Sequence, residues 1–203
     1  MKGLYRDFFL FPDITILIGL IALSASLQLW HGLTLWAVAC MLLGLLVFMF
    51  SEYMTHRFVF HLKPPKSPFL LKMLRRLHYD HHTDPNDLHL LFLPLWYSLP
   101  NLSVLAGIFY LISGDIWLTL AFATGLMTML FLYEWKHYVA HRPIKPKSRF
   151  GKWVKKTHIL HHFKNENFWY GVSTPFVDVL FGTLKDEKEV ETSKTAKDLE
   201  KRA

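Results

Sequence analysis

The sequence predicts an all-α integral membrane protein, with four transmembrane helices in two hairpins and a cytosolic helical cap that carries the histidine clusters. Three observations lead to this expectation: four long runs without a charged residue, every lysine and arginine lying outside them, and ten histidines gathered into four clusters in the charged segments. Composition agrees, because 52% hydrophobic and 16% aromatic residues against only 19% charged is too apolar for a soluble domain of 203 residues. The single cysteine, Cys40, excludes an intramolecular disulfide and a cysteine-built zinc finger.

The four runs are Ile14 to Trp30, Leu33 to Phe50, Leu91 to Ile112 and Ile116 to Tyr133, with lengths of 17, 18, 22 and 18 residues. A helix crossing a bilayer needs about 20. Only His31 and Gly32 separate the first pair, and only Ser113, Gly114 and Asp115 the second, so each pair reads as a tight helical hairpin. Buried helices of a soluble bundle would each need a polar face, and these runs have none.

Two cations precede the first run, six lie between the second and third, fifteen follow the fourth, and neither hairpin turn holds any. Lysine and arginine beside a span stay in the cytosol, which places both termini and the central loop there. The membrane would be the inner membrane in a bacterium or the endoplasmic reticulum in a eukaryote. Residues 1–184 form the membrane domain, with spans at about 14–30, 33–50, 91–112 and 116–133, and residues 185–203 form a charged cytosolic tail. Six cations balance six anions in that tail, which suits a solvated helix or a disordered segment. The net charge of +7 therefore comes from segments next to the bilayer, where it matches phospholipid headgroups. No zinc finger, GXXG loop or RNP-like strand supports a nucleic-acid partner.

The clusters are His56 and His61; His78, His81 and His82; His137 and His141; His158, His161 and His162. In each H-x-x-H-H group the spacing i, i+3, i+4 stacks three imidazoles along one helical face within reach of a shared ion. His137 and His141 have the same relation, whereas His56 and His61, five apart, would diverge by about 140° on a regular helix. His61 is therefore expected past a helix end or in a distorted turn. His61, His78, His81 and His82 each recur 80 residues later as His141, His158, His161 and His162, which reads as a pseudo-duplication with five imidazoles meeting at each of two centres. Ten neutral imidazoles suit two ions with open positions for water or oxygen. His31 and His89 lie outside the clusters and read as ordinary polar residues.

An all-imidazole set leaves two divalent ions uncompensated, so nearby carboxylates are expected to hold the outer ring nitrogens. Glu52, Asp80 and Asp178 are the candidates, with Asp84 and Asp87 reading equally well as caps or turns. By proximity to the third and fourth clusters, Glu134 and Tyr133 are candidate catalytic residues, and Phe168, Trp169 and Tyr170 candidate substrate-binding residues. The aromatic ones suit an interfacial belt equally well.

The motifs His56-Arg57-Phe58-Val59-Phe60-His61, His78-Tyr79-Asp80-His81-His82, His137-Tyr138-Val139-Ala140-His141 and His158-Ile159-Leu160-His161-His162-Phe163 resemble those of the fatty acid hydroxylase and sterol desaturase superfamily. The resemblance runs from Glu52 to Thr183 and includes Tyr170-Gly171-Val172-Ser173-Thr174 and Phe181-Gly182-Thr183. It is greatest to the fatty acid 2-hydroxylase branch. It implies a membrane monooxygenase whose ten histidines bind two iron ions, with zinc able to occupy the purified protein, and which uses O₂ to hydroxylate a lipid acyl chain at C2. Eukaryotic members of that branch commonly carry a cytochrome b5 domain. Here the first span begins by Ile14 and no His-Pro-Gly-Gly motif occurs, so the expected electron source is a separate cytochrome b5, or a ferredoxin with its reductase. Sterol, sphingoid and carotenoid hydroxylases or desaturases share the four clusters and remain the enzymatic alternative. A membrane metal transporter or sensor is the non-enzymatic one, disfavoured because the spans carry no midplane histidine or carboxylate.

Overall fold

The computed structural model describes residues 2–202, and helices with connecting turns are the regular structure found there. The chain divides into two compact units: Met1–Phe48 with Leu93–Glu134, and Met49–Phe92 with Trp135–Ala203. Four helices are long and apolar enough to cross a membrane, at Pro12–His31, Leu35–Phe60, Leu88–Ser113 and Ile116–His141.

The first unit begins with α1 (Lys2–Phe9), followed by α2 (Pro12–His31) and the start of α3 (Leu35–Thr55). Pro12 opens α2, where its missing N–H costs nothing, and Gly32, at φ 105°, ends it by donating its N–H to Gln28 O. The other hairpin runs through Gly114, in the left-handed region at φ 65°, to Asp115, whose Oδ1 accepts from Trp117 N at 2.7 Å and Leu118 N at 3.0 Å. Large apolar side chains such as Leu35, Trp36 and Leu111 are exposed, as expected where lipid is the solvent.

Lipid supplies little hydrophobic drive between helices, so small and polar side chains hold this unit together. Ser24 and Thr124 hydroxyls meet at 2.5 Å, Gln28 donates to Trp117 O at 2.6 Å, and His31 stacks on Trp117 at 4.0 Å. A close approach lies between α3 and α8 (Ile116–His141). A Cβ on Gly125 would stand 2.0 Å from Met41 O, and one on Gly44 would stand 2.1 Å from Phe122 O. Backbone cannot move aside as a side-chain tip can. Gly125→Ala is therefore expected to force α3 and α8 apart and to cost at least about 2 kcal/mol, read as a lowered Tm in detergent; an unchanged Tm would contradict the contact.

The second unit holds the end of α3 and its continuation as a π turn, His56–Phe60, then α4 (Pro68–Leu74), a second π turn (Arg75–Tyr79) and the short α5 (Asp80–Thr83) and α6 (Leu88–Leu91). Asp87 caps α6 by accepting from His89 N at 2.8 Å, and Asp84 accepts from Asn86 N at 3.2 Å, the turn roles open to both. α7 (Leu95–Ser113) belongs to the first unit, and α8 ends in the second. Lys155, on α9 (Arg149–Phe163), donates to Val139 O, Arg142 O and Ile144 O at 2.7–2.9 Å and so satisfies carbonyls at the end of α8. α10 (Phe176–Leu180) follows.

The charged tail differs from expectation. Val190, Ala196 and Leu199 are buried, a 3₁₀ turn forms at Leu199–Lys201, and Glu200 pairs bidentately with Arg75 at 2.5 and 2.7 Å. Composition suggested solvation because the charges cancel, but three apolar residues spaced among them give the segment a face to bury.

Candidate metal centre

Ten histidines of the second unit form two groups: His56, His61, His78, His82 and His161, and His81, His137, His141, His158 and His162. Within each, one ring nitrogen per residue lies within 4.8 Å of all the others. Two groups of five match the pseudo-duplication, but their membership is crossed. Each H-x-x-H-H motif is split, so that His78 and His82 face one group and His81 the other, while His158 and His162 face the second group and His161 the first. Helix geometry explains the split: neighbours such as His81 and His82 diverge by about 100° and cannot aim at one point. The two exchanged residues, His81 and His161, are equivalents in the 80-residue repeat.

One irregularity in the repeat has a local cause. His56 and His61 are five apart where His137 and His141 are four apart, so the first copy carries one extra residue. The π turn absorbs it, with His61 N donating to His56 O at 3.2 Å, and brings the two rings to 5.0 Å between centroids. In the second copy the regular α8 needs no such turn.

Outer hydrogen bonds set the tautomers of three rings. Nδ1–H of His56 donates to Tyr170 O at 2.5 Å, that of His82 to Ala196 O at 2.7 Å, and that of His161 to Phe168 O at 2.8 Å. Their Nε2 lone pairs therefore point inward. In the first group Nε2 separations are 3.1 Å for His56–His78, 2.9 Å for His78–His61, 3.0 Å for His82–His78 and 3.0 Å for His161–His61. In the second, His81–His137 and His141–His158 are each 2.8 Å. Protons on His61 and His78 could serve some of these approaches, whereas a cation at the focus serves all five rings. At a metal–nitrogen distance of about 2.1 Å, ligands at a right angle stand about 3.0 Å apart and tetrahedral ones about 3.4 Å. The donors thus fit a five- or six-coordinate ion better than a closed tetrahedral zinc. In the second group, Nδ1 of His81 and of His158 and both ring nitrogens of His162 are buried without a hydrogen bond, and a cation at the focus would satisfy one nitrogen of His162.

Burial is the main influence on protonation. It holds His82 down to about 3 and His61, His78, His81, His158, His161 and His162 well below the usual imidazole value, with neighbouring imidazoles adding to the effect. The rings are therefore neutral and ready to ligate at neutral pH.

The candidate carboxylates are placed differently from the sequence expectation. Glu52 accepts from Val172 N at 3.1 Å and Ser173 N at 3.3 Å, and Lys136 donates to Ser173 O at 2.7 Å, so the pair fastens this loop. Asp178 accepts from Tyr170 N, Gly171 N and Thr183 Oγ1 at 2.7–2.8 Å. It acts on the centre at one remove, by holding the peptide whose carbonyl receives His56. Arg57 donates to Tyr53 Oη at 2.9 Å, and Tyr53 lies 2.7 Å from Thr183 Oγ1, extending the chain to Asp178. Gly171 is required there, since a Cβ would stand 2.2 Å from Thr174 O. Burial pushes Asp178 and the half-buried Asp80 up from the usual carboxylate value.

Trp169 is fully buried with φ 59°, a conformation that costs a bulky residue about 1–2 kcal/mol. It turns the chain between Phe168 and Tyr170, whose carbonyls both receive ligand rings. The Tyr170 ring lies 5.3–5.7 Å from those of His56, His61 and His161. Burial raises its hydroxyl to about 12, so it remains a phenol. Glu134 and Tyr133 belong to the first unit, where Glu134 accepts from Leu93 N at 3.1 Å and Tyr133 packs edge-on against Phe48. Backbone carbonyls at positions 168, 170 and 196 leave no signature in a sequence, whereas carboxylates do.

A family model described as fatty acid hydroxylase matches residues 41–183. "Fatty acid 2-hydroxylase" of Homo sapiens is 35% identical over 157 residues, covering 72% of this chain and 40% of the relative. "Dihydroceramide fatty acyl 2-hydroxylase FAH2" of Arabidopsis thaliana is 30% identical over 181 residues, covering 84% and 71%. The solved structure "Full length scs7p (only hydroxylase domain visible)" superposes with a TM-score of 0.78 at 25% identity, covering 89% of this chain and 67% of that one. The chain thus spans about 40% of the length of the human relative it matches.

Proposed function

The chain belongs to the fatty acid hydroxylase family, and on that premise we propose that it is an integral membrane monooxygenase that hydroxylates a lipid acyl chain at C2, on a free fatty acid or a ceramide-linked acyl group. The observation that carries the reading is the convergence of two five-imidazole groups in a single unit. We assign His56, His61, His78, His82 and His161 to one iron ion and His81, His137, His141, His158 and His162 to the other. A methylene has no acidic proton and no leaving group, so the bound metal pair supplies the activation of O₂ that side chains cannot. One oxygen atom enters the C–H bond at C2, the other leaves as water, and the balance takes two electrons and two protons.

The protein's part is placement. Neutral imidazoles bind without competing protons, and the carbonyls of Phe168, Tyr170 and Ala196 keep three rings aimed inward. Glu52, Lys136 and Asp178 hold the loop that carries two of those carbonyls. Phe168, Trp169 and Tyr170 border the substrate in this reading, and Glu134 and Tyr133 are its candidate catalytic residues. The hydroxylase domain is residues 1–184, with both termini and the histidine groups on the cytosolic side, as the one-sided cation distribution supports. Electrons come from a separate cytochrome b5 or ferredoxin.

The test is mass spectrometry of total lipid from cells grown under ¹⁸O₂ with wild type or the His78→Ala variant and a supplied electron donor. A labelled 2-hydroxyacyl lipid found with wild type alone is expected. Label at another position would shift the assignment to another hydroxylase class, and no labelled lipid would overturn the oxygenase reading.

A further inference from the structure

The tail beyond the family match, which ends at residue 183, makes contacts that a merely solubilising segment would not. Ala196 O accepts from Nδ1–H of His82 at 2.7 Å. Arg202 Nη1 donates to His61 O at 2.8 Å, its Nε lies 3.6 Å from the buried Glu166 carboxylate, and its Nη2 donates to Asn167 Oδ1 at 3.0 Å. Further anchors hold the segment in place. Thr195 donates to Glu166 Oε1 at 2.6 Å, Ser193 N to Lys164 O at 2.7 Å, and Leu199 is fully buried. Thr83 donates to Lys197 O at 3.4 Å, one residue beyond the histidine that the segment orients.

We propose that residues 190–202 form a strap that positions His61 and His82, so that metal affinity of the first histidine group depends on the strap. The proposal rests on the two-ion reading above. Both histidines that the strap reaches belong to the first group, although each occupies the same place in the repeat as a second-group residue, His141 or His162. The strap thus makes two internally related sites unequal. Its effect on His82 is to keep the proton on Nδ1 and the lone pair of Nε2 inward. Its effect on His61 is to hold the end of the π turn, with Arg202 Nη1 at 2.8 Å from His61 O and 3.4 Å from the ring's Nδ1. Ala196, Leu199 and Arg202 are positioning residues, since they act through the two rings. Loss of such outer partners typically weakens a metal about 10–100-fold.

The experiment titrates the full-length, metal-free protein in detergent with Co²⁺, following its visible d–d absorption and the bound equivalents. Wild type is expected to take two. In Arg202→Ala and in Leu199→Asp, one equivalent binds as in wild type and the other binds about 10–100-fold more weakly with altered d–d bands, while Arg202→Lys recovers part of the loss. Lys147→Ala, at an exposed position outside the strap, changes nothing. Adding Arg202→Ala to His141→Ala weakens the remaining equivalent, and adding it to His56→Ala does not. Two unaltered equivalents in Leu199→Asp, or equal weakening of both, would overturn the strap while leaving the two-ion reading in place. Fewer than two equivalents in wild type would overturn the two-ion reading, and the strap with it.

Discussion

Replacing His161 by alanine is expected to remove metal from the same site as replacing His56, 105 residues away, rather than from the site of its helical neighbour His158. Nε2 of His161 lies 3.0 Å from that of His61, and its ring centroid is 4.7 Å from that of His56. The single variant should retain one of two metal equivalents and lose at least about 100-fold in activity, more than an outer partner is worth because a ligand itself is gone. His56→Ala combined with His161→Ala should cost little beyond either single change, since residues in one group are strongly non-additive. His158→Ala with His161→Ala, three positions apart on α9, should empty both sites. Metal content by elemental analysis distinguishes these outcomes. One retained equivalent in the His158/His161 double variant would show that the motif serves a single ion and would sink the crossed assignment.

The metal-free protein is expected to lose stability steeply as pH falls below about 6.5, the ordinary imidazole value that applies in the unfolded chain. Burial holds His82 down to about 3 in the folded state and lowers six further rings outside the spans. Between those limits the unfolded chain binds more protons than the folded one, so stability rises with pH and is lost on acidification. Each ring contributes up to about a tenfold change in the folding constant per pH unit. Seven together make the loss far steeper than one group would. Circular dichroism melts at pH 7.5 and 5.5 provide the check, and equal Tm values would contradict burial of neutral rings. In the loaded protein bound metal also holds the rings neutral, so release is expected to coincide with unfolding. Ordinary solvent-exposed imidazoles would release metal soon below pH 6.5 with the fold intact.

Much of the design was legible in the sequence because it is written in local patterns. Runs of about 20 apolar residues identify spans, since backbone groups in lipid must be satisfied within a helix. The i, i+3, i+4 histidines and their 80-residue echo mark ten candidate ligands in two sets of five, although the groups that form exchange one member between the sets. The five-residue spacing of His56 and His61 predicted a helix end or a distorted turn, and a π turn forms with His61 just past it. The twin glycines at the α3–α8 contact are not legible in the sequence, because glycine within an apolar run has no meaning until the facing helix is known.

By itself, then, the sequence determined an all-helical chain with four lipid-compatible helices and ten clustered histidines in two related sets of five. Tertiary structure alone decided which histidine serves which centre, because a helix sends adjacent residues in directions that only a second segment can join to one focus. It also decided what orients the rings. Periodicity reveals side chains, but the groups that set the His56, His82 and His161 tautomers are backbone carbonyls, which every residue has and which folding brings within 2.5–2.8 Å. The tail was ambiguous for a related reason: balanced charge predicts solubility, while burial depends on whether a surface exists to receive Val190, Ala196 and Leu199.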